Sequence, residues 1–429
     1  MSKPLKVALL GAGVVGSQVA RIILEQGDTL ESRIGRRLEL VGVGVKRLDT
    51  ERPGIDPALL TTDLEALVSR GDLDVVIELI GGVEPAGALV LKAIEHGASV
   101  VSANKALLAD ELGVLSRAAQ EKGVDLYYEA AVAGAIPIIR PLRESLVGDD
   151  IIKVMGIVNG TTNFILDKMV TNGVGFDEAL AEAQALGFAE ADPTADVEGH
   201  DAAAKAAILA GLAFHTEVRR EEVYCEGITG VTADDIAAAK RLGCTVKLLA
   251  TASLTDDDSI IVKVHPAMVA DKHPLASVSG AYNAIFVNSR EAGELMFLGQ
   301  GAGGSPTASA VMGDVVTVAR NRHRGTAGYV GSPYTRRPVA PIAEATAQFH
   351  VTFDVVDRPG ILARSAAIFG THDVSLRVVQ QTTQPGTGTA RLEVMTHATT
   401  EASMAAIVAE LEGSEFVGAP VRLMRVEGF

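Results

Sequence analysis

The sequence predicts an α/β chain of three parts: a doubly wound parallel sheet, an α+β domain, and a small ferredoxin-like unit at the end. Three observations carry this. The opening third alternates short apolar runs with helical patterns, as βαβ units do. A GxGxxG run closes the first apolar run and opens the first helical one. The last eighty or so residues read strand, helix, strand, strand, helix, strand, the βαββαβ order.

Taken in order, "LKVALL" is the first strand, "SQVARIILEQG" the helix after it and "LELVGVGV" the second strand. "DVVIELIG" and "ASVVSANK" follow as buried strands that stop at glycine or polar residues, where the crevice of such a sheet lies. These make a Rossmann-type dinucleotide-binding domain over residues 1–140. From 141 to 320 longer helices ("DEALAEAQALGF", "HDAAAKAAILAGLAF") alternate with β-rich stretches ("IIKVMGIVNG", "SIIVKVHPAM", "AIFVNSREAGELMFLG"). Residues 321–347 are rich in proline and arginine without sustained period and read as a linker. The terminal unit spans 348–429.

Composition sets the class. With 48% hydrophobic and 21% charged residues the 429-residue chain reads as globular, and its length suits two or three domains. A net charge of −16 argues against a nucleic-acid partner. No signal peptide or membrane-length apolar run follows the N-terminus, so no membrane partner is expected. Two cysteines, Cys225 and Cys244, without a CxxC pair fit a reducing cytoplasm.

"GAGVVG" supplies Gly11, Gly13, Val14, Val15 and Gly16 as a dinucleotide cradle: a tight turn, close backbone approach to a pyrophosphate, and a helix N-terminus facing it. The bland reading is a turn that only packs helix on strand. The second strand ends in Lys46 and Arg47 where an acid usually takes the adenosine ribose. Basic residues there favour NADP, with NAD possible; the alternative is a solvated basic pair. The long interval from Gly16 to Lys46 suggests an elaborated connection around "DTLESRIGRR".

"EADPTADVEGHDAAAK" crowds five carboxylates and His200 against one lysine. Asp201 and Lys205, at i and i+4, share a helix face, which a surface ion pair would also do. The surrounding alanines argue instead for a buried helix whose one polar stripe lines a cleft. A calcium loop fails on Val197 and Ala203, where glycine and glutamate are needed. A desolvated lysine tuned by acids suits proton exchange beside a substrate ammonium. Lys105, after "SAN" at the carboxyl edge of the sheet, stands where ligands bind, although a lone lysine there is as readily a helix-start charge.

Together "GAGVVG", "SANKALL", "YYEAAVAGAIPII", "GIVNGTTNFIL", "EADPTADVEGHDAAAK" and "GQGAGGSPTASAVMGD" resemble homoserine dehydrogenase over residues 1–320, and "DRPGIL" resembles the ACT regulatory domain. The resemblance implies NAD(P)-dependent interconversion of L-homoserine and L-aspartate 4-semialdehyde, on the way to threonine, methionine and isoleucine. It implies that residues 141–320 are a catalytic and dimerisation domain whose last helix returns to the nucleotide domain. Lys205 would be the proton donor to the carbonyl oxygen, with Lys105 assisting there and near the cofactor. Glu190, Asp196 and Asp201 would bind the substrate's amino and hydroxyl groups, and Gly301 and Gly303 would meet the cofactor. Backbone carbonyls of Glu129, Val132, Gly134 and Ile136 would hold a structural sodium ion. An amino-acid effector such as threonine would bind around Asp357 and Gly360 in a homodimer or homotetramer, and truncation after about Ala345 would then remove inhibition but spare activity.

Two rivals stand beside this. Aspartate-semialdehyde dehydrogenase needs a cysteine nucleophile, for which neither cysteine has an accompanying motif. A nonenzymatic NADP- and amino-acid-sensing protein would not need Lys205.

Overall fold

A computed structural model describes residues 3–328, 337–418 and 420–428. Its first sheet is parallel: β1 Leu5–Leu10, β2 Leu38–Gly44, β3 Leu60–Thr61, β4 Val75–Glu78, β5 Ser99–Ser102 and β6 Leu126–Tyr127, in the order β3-β2-β1-β4-β5-β6. The order reverses at β1 and β4, so the crevice opens where the "GAGVVG" turn ends β1. The glycine turn opens the helix Val14–Glu25, and the elaborated connection is a second helix, Gly27–Ile34, stopped by Gly35 at φ 89°.

The second sheet runs through two domains. β7 Ile151–Ile157, β8 Tyr224–Cys225, β9 Cys244–Leu254, β10 Ile260–Ala270, β11 Tyr282–Ser289 and β12 Gly293–Gln300 belong to the middle of the chain. β13 Thr346–Val356, β14 Leu376–Gln384, β15 Thr389–Thr396, β16 Thr399–Thr400 and β17 Arg422–Glu427 belong to the tail. The order is β12-β11-β7-β9-β10-β17-β13-β15-β14. The tail thus has the ferredoxin-like order expected, and its last strand adds itself to the edge of β10 in parallel, Ala267 opposite Arg425 and Val269 opposite Glu427. The tail is therefore no pendant unit: truncation after Ala345 strips β10 of a partner and removes Met424 and Val426 from the main core. The linker differs from its reading too. Residues 329–336 lie outside the described residues, but Arg337 donates to the carbonyl of Phe214 at 2.6 Å and to Asp258 at 2.9 Å, and Val339 bridges to Ile260.

Two cores position the site. The helix Gly304–Arg324 leaves the second domain and buries Ala308, Val311, Val315 and Val318 against Val7, Leu9, Val19 and Ile23 of the first. The helix His200–Phe214 is buried nearly all round, as its alanine-rich sequence demands, and packs against the β9–β10 sheet face. One helix fixes the glycine loop to the nucleotide fold; the other holds the acids and Lys205 at the sheet edge.

Candidate active site

Lys105 is set by a network the sequence did not announce. Glu78, fully buried at the end of β4, accepts from Ser102 Oγ at 2.6 Å and from the backbone N–H of Ile80 at 2.9 Å. Asn104 donates to the Gly82 carbonyl at 2.6 Å, and its Oδ1 caps the helix Lys105–Lys122 at the Leu107 N–H. Lys105 is thereby the first residue of that helix, a position where positive charge opposes the helix dipole. Asp201 answers it: the Lys105 ammonium pairs with Asp201 Oδ1.

Asp201 Oδ2 in turn accepts from Lys205 Nζ at 2.6 Å, and Lys205 also donates to the Val158 carbonyl at 2.6 Å. Lys205 is 7% exposed. Burial pushes its pKa below that of an ordinary lysine, Lys105 adds to this, and Asp201 opposes it. For Asp201 burial acts upward, yet the two ammonium groups outweigh it and hold the carboxyl well below the usual range. Asn159 completes the cluster. Its Nδ2 bridges Asp196 Oδ1 at 2.7 Å and Asp201 Oδ2 at 3.0 Å, while its Oδ1 caps the helix Gly160–Asn172 at Thr162 N. Sequence reasoning assigned Asn159 no role; the available signal was its N-cap position between a strand and a helix in "IVNGTTNF".

These groups line one cavity of about 760 Å³, with Lys105, Asp196, Asp201 and Lys205 on one side and Gly134, Gly301 and Gly303 on another. Glu190 is not in its lining; it is exposed, two residues after Phe188, which is. Its segment folds back on the preceding helix through Phe188 N–H to the Ala183 carbonyl, which leaves the carboxylate in water. His200 is likewise exposed, and Asp192 spends its carboxylate capping Thr194 rather than gathering a cation.

The glycine turn fits a dinucleotide. A Cβ on Gly11, at φ 96°, would meet the Leu79 carbonyl at 2.6 Å, and one on Gly16 would strike the Gly11 carbonyl. Gly13 has nothing within 4 Å of a Cβ, and Val14 is 77% exposed, so the turn faces open space at a helix N-terminus. Val15 is half-buried beneath it. Lys46 and Arg47 are exposed just beyond β2, whose last carbonyl, Gly44, accepts from the Gly11 N–H at 2.9 Å. Gly301 is required by Asn283, whose buried side-chain amide fills the space of a Cβ.

The segment expected to hold a cation is a tight turn. The chain turns through φ 56° at both Ala133 and Gly134, directly after the one-turn helix Glu129–Ala131. The Glu129 carboxylate is not free to bind there: it accepts the N–H groups of Ile138, Ile139 and Arg140 at 2.6, 2.7 and 2.9 Å.

The homoserine dehydrogenase family profile matches residues 137–316, and that family's NAD-binding domain profile matches residues 11–129. The chain belongs to the homoserine dehydrogenase family. An ACT domain profile matches residues 350–415. Homoserine dehydrogenase of Mycobacterium tuberculosis is 51% identical over 434 residues, covering 99% of this chain and 98% of that one. The crystal structure of a homoserine dehydrogenase from Thiobacillus denitrificans superposes with a TM-score of 0.92 at 38% identity, covering 99% of this chain and 98% of that one. A hyperthermophilic archaeal homoserine dehydrogenase in complex with NADPH superposes with a TM-score of 0.63 at 28% identity, covering 74% of this chain and 98% of that one. Homoserine dehydrogenase chemistry, oxidoreduction at a CH–OH group, needs no thiol. Neither cysteine lines the cavity, burial raises the Cys225 thiol, and burial pushes Cys244 up to about 11. The aspartate-semialdehyde dehydrogenase and sensor readings both fall.

Proposed function

We propose that the Lys105–Asp201–Lys205 cluster carries the interconversion of L-homoserine and L-aspartate 4-semialdehyde, with NADP preferred over NAD. The observation behind this is Lys205, a buried ammonium with two of its three N–H groups committed, to Asp201 and to the Val158 carbonyl. The third is left for the substrate oxygen. In reduction Lys205 donates its proton to the carbonyl oxygen; in oxidation the neutral amine, made accessible by its lowered pKa, accepts the hydroxyl proton. Lys105 adds positive charge beside the same oxygen. When bound, the nicotinamide accepts or supplies the hydride.

Asp196, with Oδ1 taken by Asn159, offers its other oxygen to the substrate ammonium, and Asp201 orients the hydroxyl through the lysines. Glu190, exposed near Phe188, draws the ammonium in. Lys46 and Arg47 pair with a 2′-phosphate, and Gly301 and Gly303 let the backbone approach the cofactor. A sodium ion on the carbonyls of Glu129, Val132, Gly134 and Ile136 holds that turn and is structural. The enzyme acts in the cytoplasm as a homodimer or homotetramer, and its ACT unit takes an amino-acid effector such as threonine. The sequence motif points to Asp357 and Gly360 for that effector; both are exposed, with Gly360 at φ 87° opening the helix Ile361–Thr371.

Initial rates of NADPH and NADH formation from L-homoserine test the reading, beside Lys205→Ala. Turnover that favours NADP and collapses in the variant is expected. Folded protein that binds NADPH but turns over with neither cofactor overturns it.

A further inference from the structure

Of the buried side-chain polar atoms that lack a hydrogen-bond partner among the described residues, only Asn283 Oδ1 belongs to a residue lining the catalytic cavity. Asn283 stands where an apolar side chain is expected. Along β11, Ala284 and Phe286 enter a small separate core, while Ile285 and Val287 enter the main core with the helix that carries Lys205. Strand alternation puts Asn283 on that second face, and it is 1% exposed. A buried acceptor is disfavoured without its hydrogen bond unless a group from outside the chain completes it. The neighbours of Asn283 indicate which ligand this is. Its amide fills the space that a Cβ on Gly301 would need, and three residues on, a Cβ on Gly304 would meet Val14 of the dinucleotide turn at 3.0 Å. The glycine loop therefore links the pyrophosphate cradle to Asn283 through at most about 10 Å of chain. In a dinucleotide, pyrophosphate and nicotinamide are separated by one ribose.

We propose that Asn283 fixes the carboxamide of the nicotinamide ring. The unpaired oxygen calls for a donor. The substrate carboxylate brings none, and the substrate ammonium has Asp196, which Asn159 bridges to the lysine cluster. A carboxamide brings an N–H donor and a C=O acceptor together, and the Asn283 side chain offers the complement of both whichever way its amide is turned. Holding that group sets the rotation of the ring about its bond to the ribose, and so which ring face meets the substrate carbon. Asn283 is on this account a cofactor-positioning residue. The inference rests on reading the glycine turn as a dinucleotide site.

The test is displacement of NADPH from the full-length enzyme, followed by its fluorescence. NADP is compared with its 3-acetylpyridine analogue, in which a methyl group replaces the amide NH₂, and with 2′-phospho-ADP-ribose, which has no nicotinamide. The unsubstituted enzyme should hold the analogue about 10-fold more weakly than NADP, the scale of one buried hydrogen bond. In Asn283→Ala and Asn283→Ser, NADP should weaken by about the same factor and bind within about twofold of the analogue, while 2′-phospho-ADP-ribose binds as before. Discrimination that persists in both variants overturns the proposal. So does an unsubstituted enzyme that does not discriminate, the result expected if water alone completes Asn283; this comparison needs no variant to fold. Binding of 2′-phospho-ADP-ribose that falls in step with NADP makes Asn283 a support for the glycine loop only, and overturns it as well. An unsubstituted enzyme that binds no dinucleotide, with or without the 2′-phosphate, overturns the cofactor reading itself.

Discussion

Asp201→Asn isolates the electrostatics of the reacting lysine. The side chain sits between two ammonium groups, bonded to Lys205 at 2.6 Å and paired with Lys105. The amide keeps the shape and removes the charge. Lys205 then has burial and Lys105 acting on it with no opposing carboxylate at bonding distance, so its already lowered pKa falls further. An opposite charge within about 4–6 Å is worth roughly 1–3 pKa units, and the loss of Asp201 is expected to lie in that range. In homoserine oxidation the amine must be neutral, so kcat/KM rises with pH through the Lys205 pKa. The acidic limb of that profile should therefore move down by about 1–3 units in Asp201→Asn. Stability responds with a defined sign. A lysine whose folded pKa lies below its unfolded value binds fewer protons folded than unfolded, so stability increases with pH between the two values. The variant's wider gap makes that slope extend to lower pH, readable in urea midpoints. At neutral pH the loss is at most about 3–5 kcal/mol, the usual cost of orphaning a buried charge, and less because Lys205 can deprotonate. An acidic limb that stays put or moves up would refute Lys205 as the titrating group.

Four further outcomes follow from the same geometry. Asn159→Ala removes a helix cap and the amide bridging Asp196 to Asp201; a loss of about 1–3 kcal/mol in chemical denaturation and a raised KM for homoserine are expected. Gly301→Ala places a Cβ into the Asn283 amide, and fluorescence titration should show weakened NADPH binding in a protein that stays folded. Lys46→Ala with Arg47→Ala should lower kcat/KM for NADP by about 10–100-fold and leave that for NAD nearly unchanged, the scale of one or two charge-assisted hydrogen bonds. A fragment ending at Ala345 should express as aggregate or melt well below the full chain; a fragment as stable as the whole would contradict the role given to β17.

Local periodicity revealed much of the fold. The helix of the "HDAAAKAAILAGLAF" segment spans His200–Phe214, and the tail's long strands and helices follow the expected order, because apolar spacing and caps are local properties. That Asp201 and Lys205 share one face of a buried helix was legible because a polar stripe on an apolar helix is anomalous in sequence, whereas Asp196 was named through the resemblance and Lys105 looked as much like a helix-start charge. Asn159 and Glu78 were not legible, since a single polar residue at a strand end looks the same whether it bridges carboxylates or meets water. The exposed position of Glu190, outside the cavity lining, was not legible for a related reason: membership of an acidic run says nothing about which way the loop turns. The joining of β17 to β10 carries no local signature, because three backbone pairs between distant segments depend on register rather than composition.

That joining also has a consequence for synthesis. Ala267 meets its partner Arg425 only after 158 further residues, the difference of the two positions, have been added. At about 5–20 residues per second a ribosome needs roughly 8–30 s for this. Throughout that interval the nascent chain presents the far end of β10 as an unsatisfied strand edge, a template for pairing with a neighbouring chain.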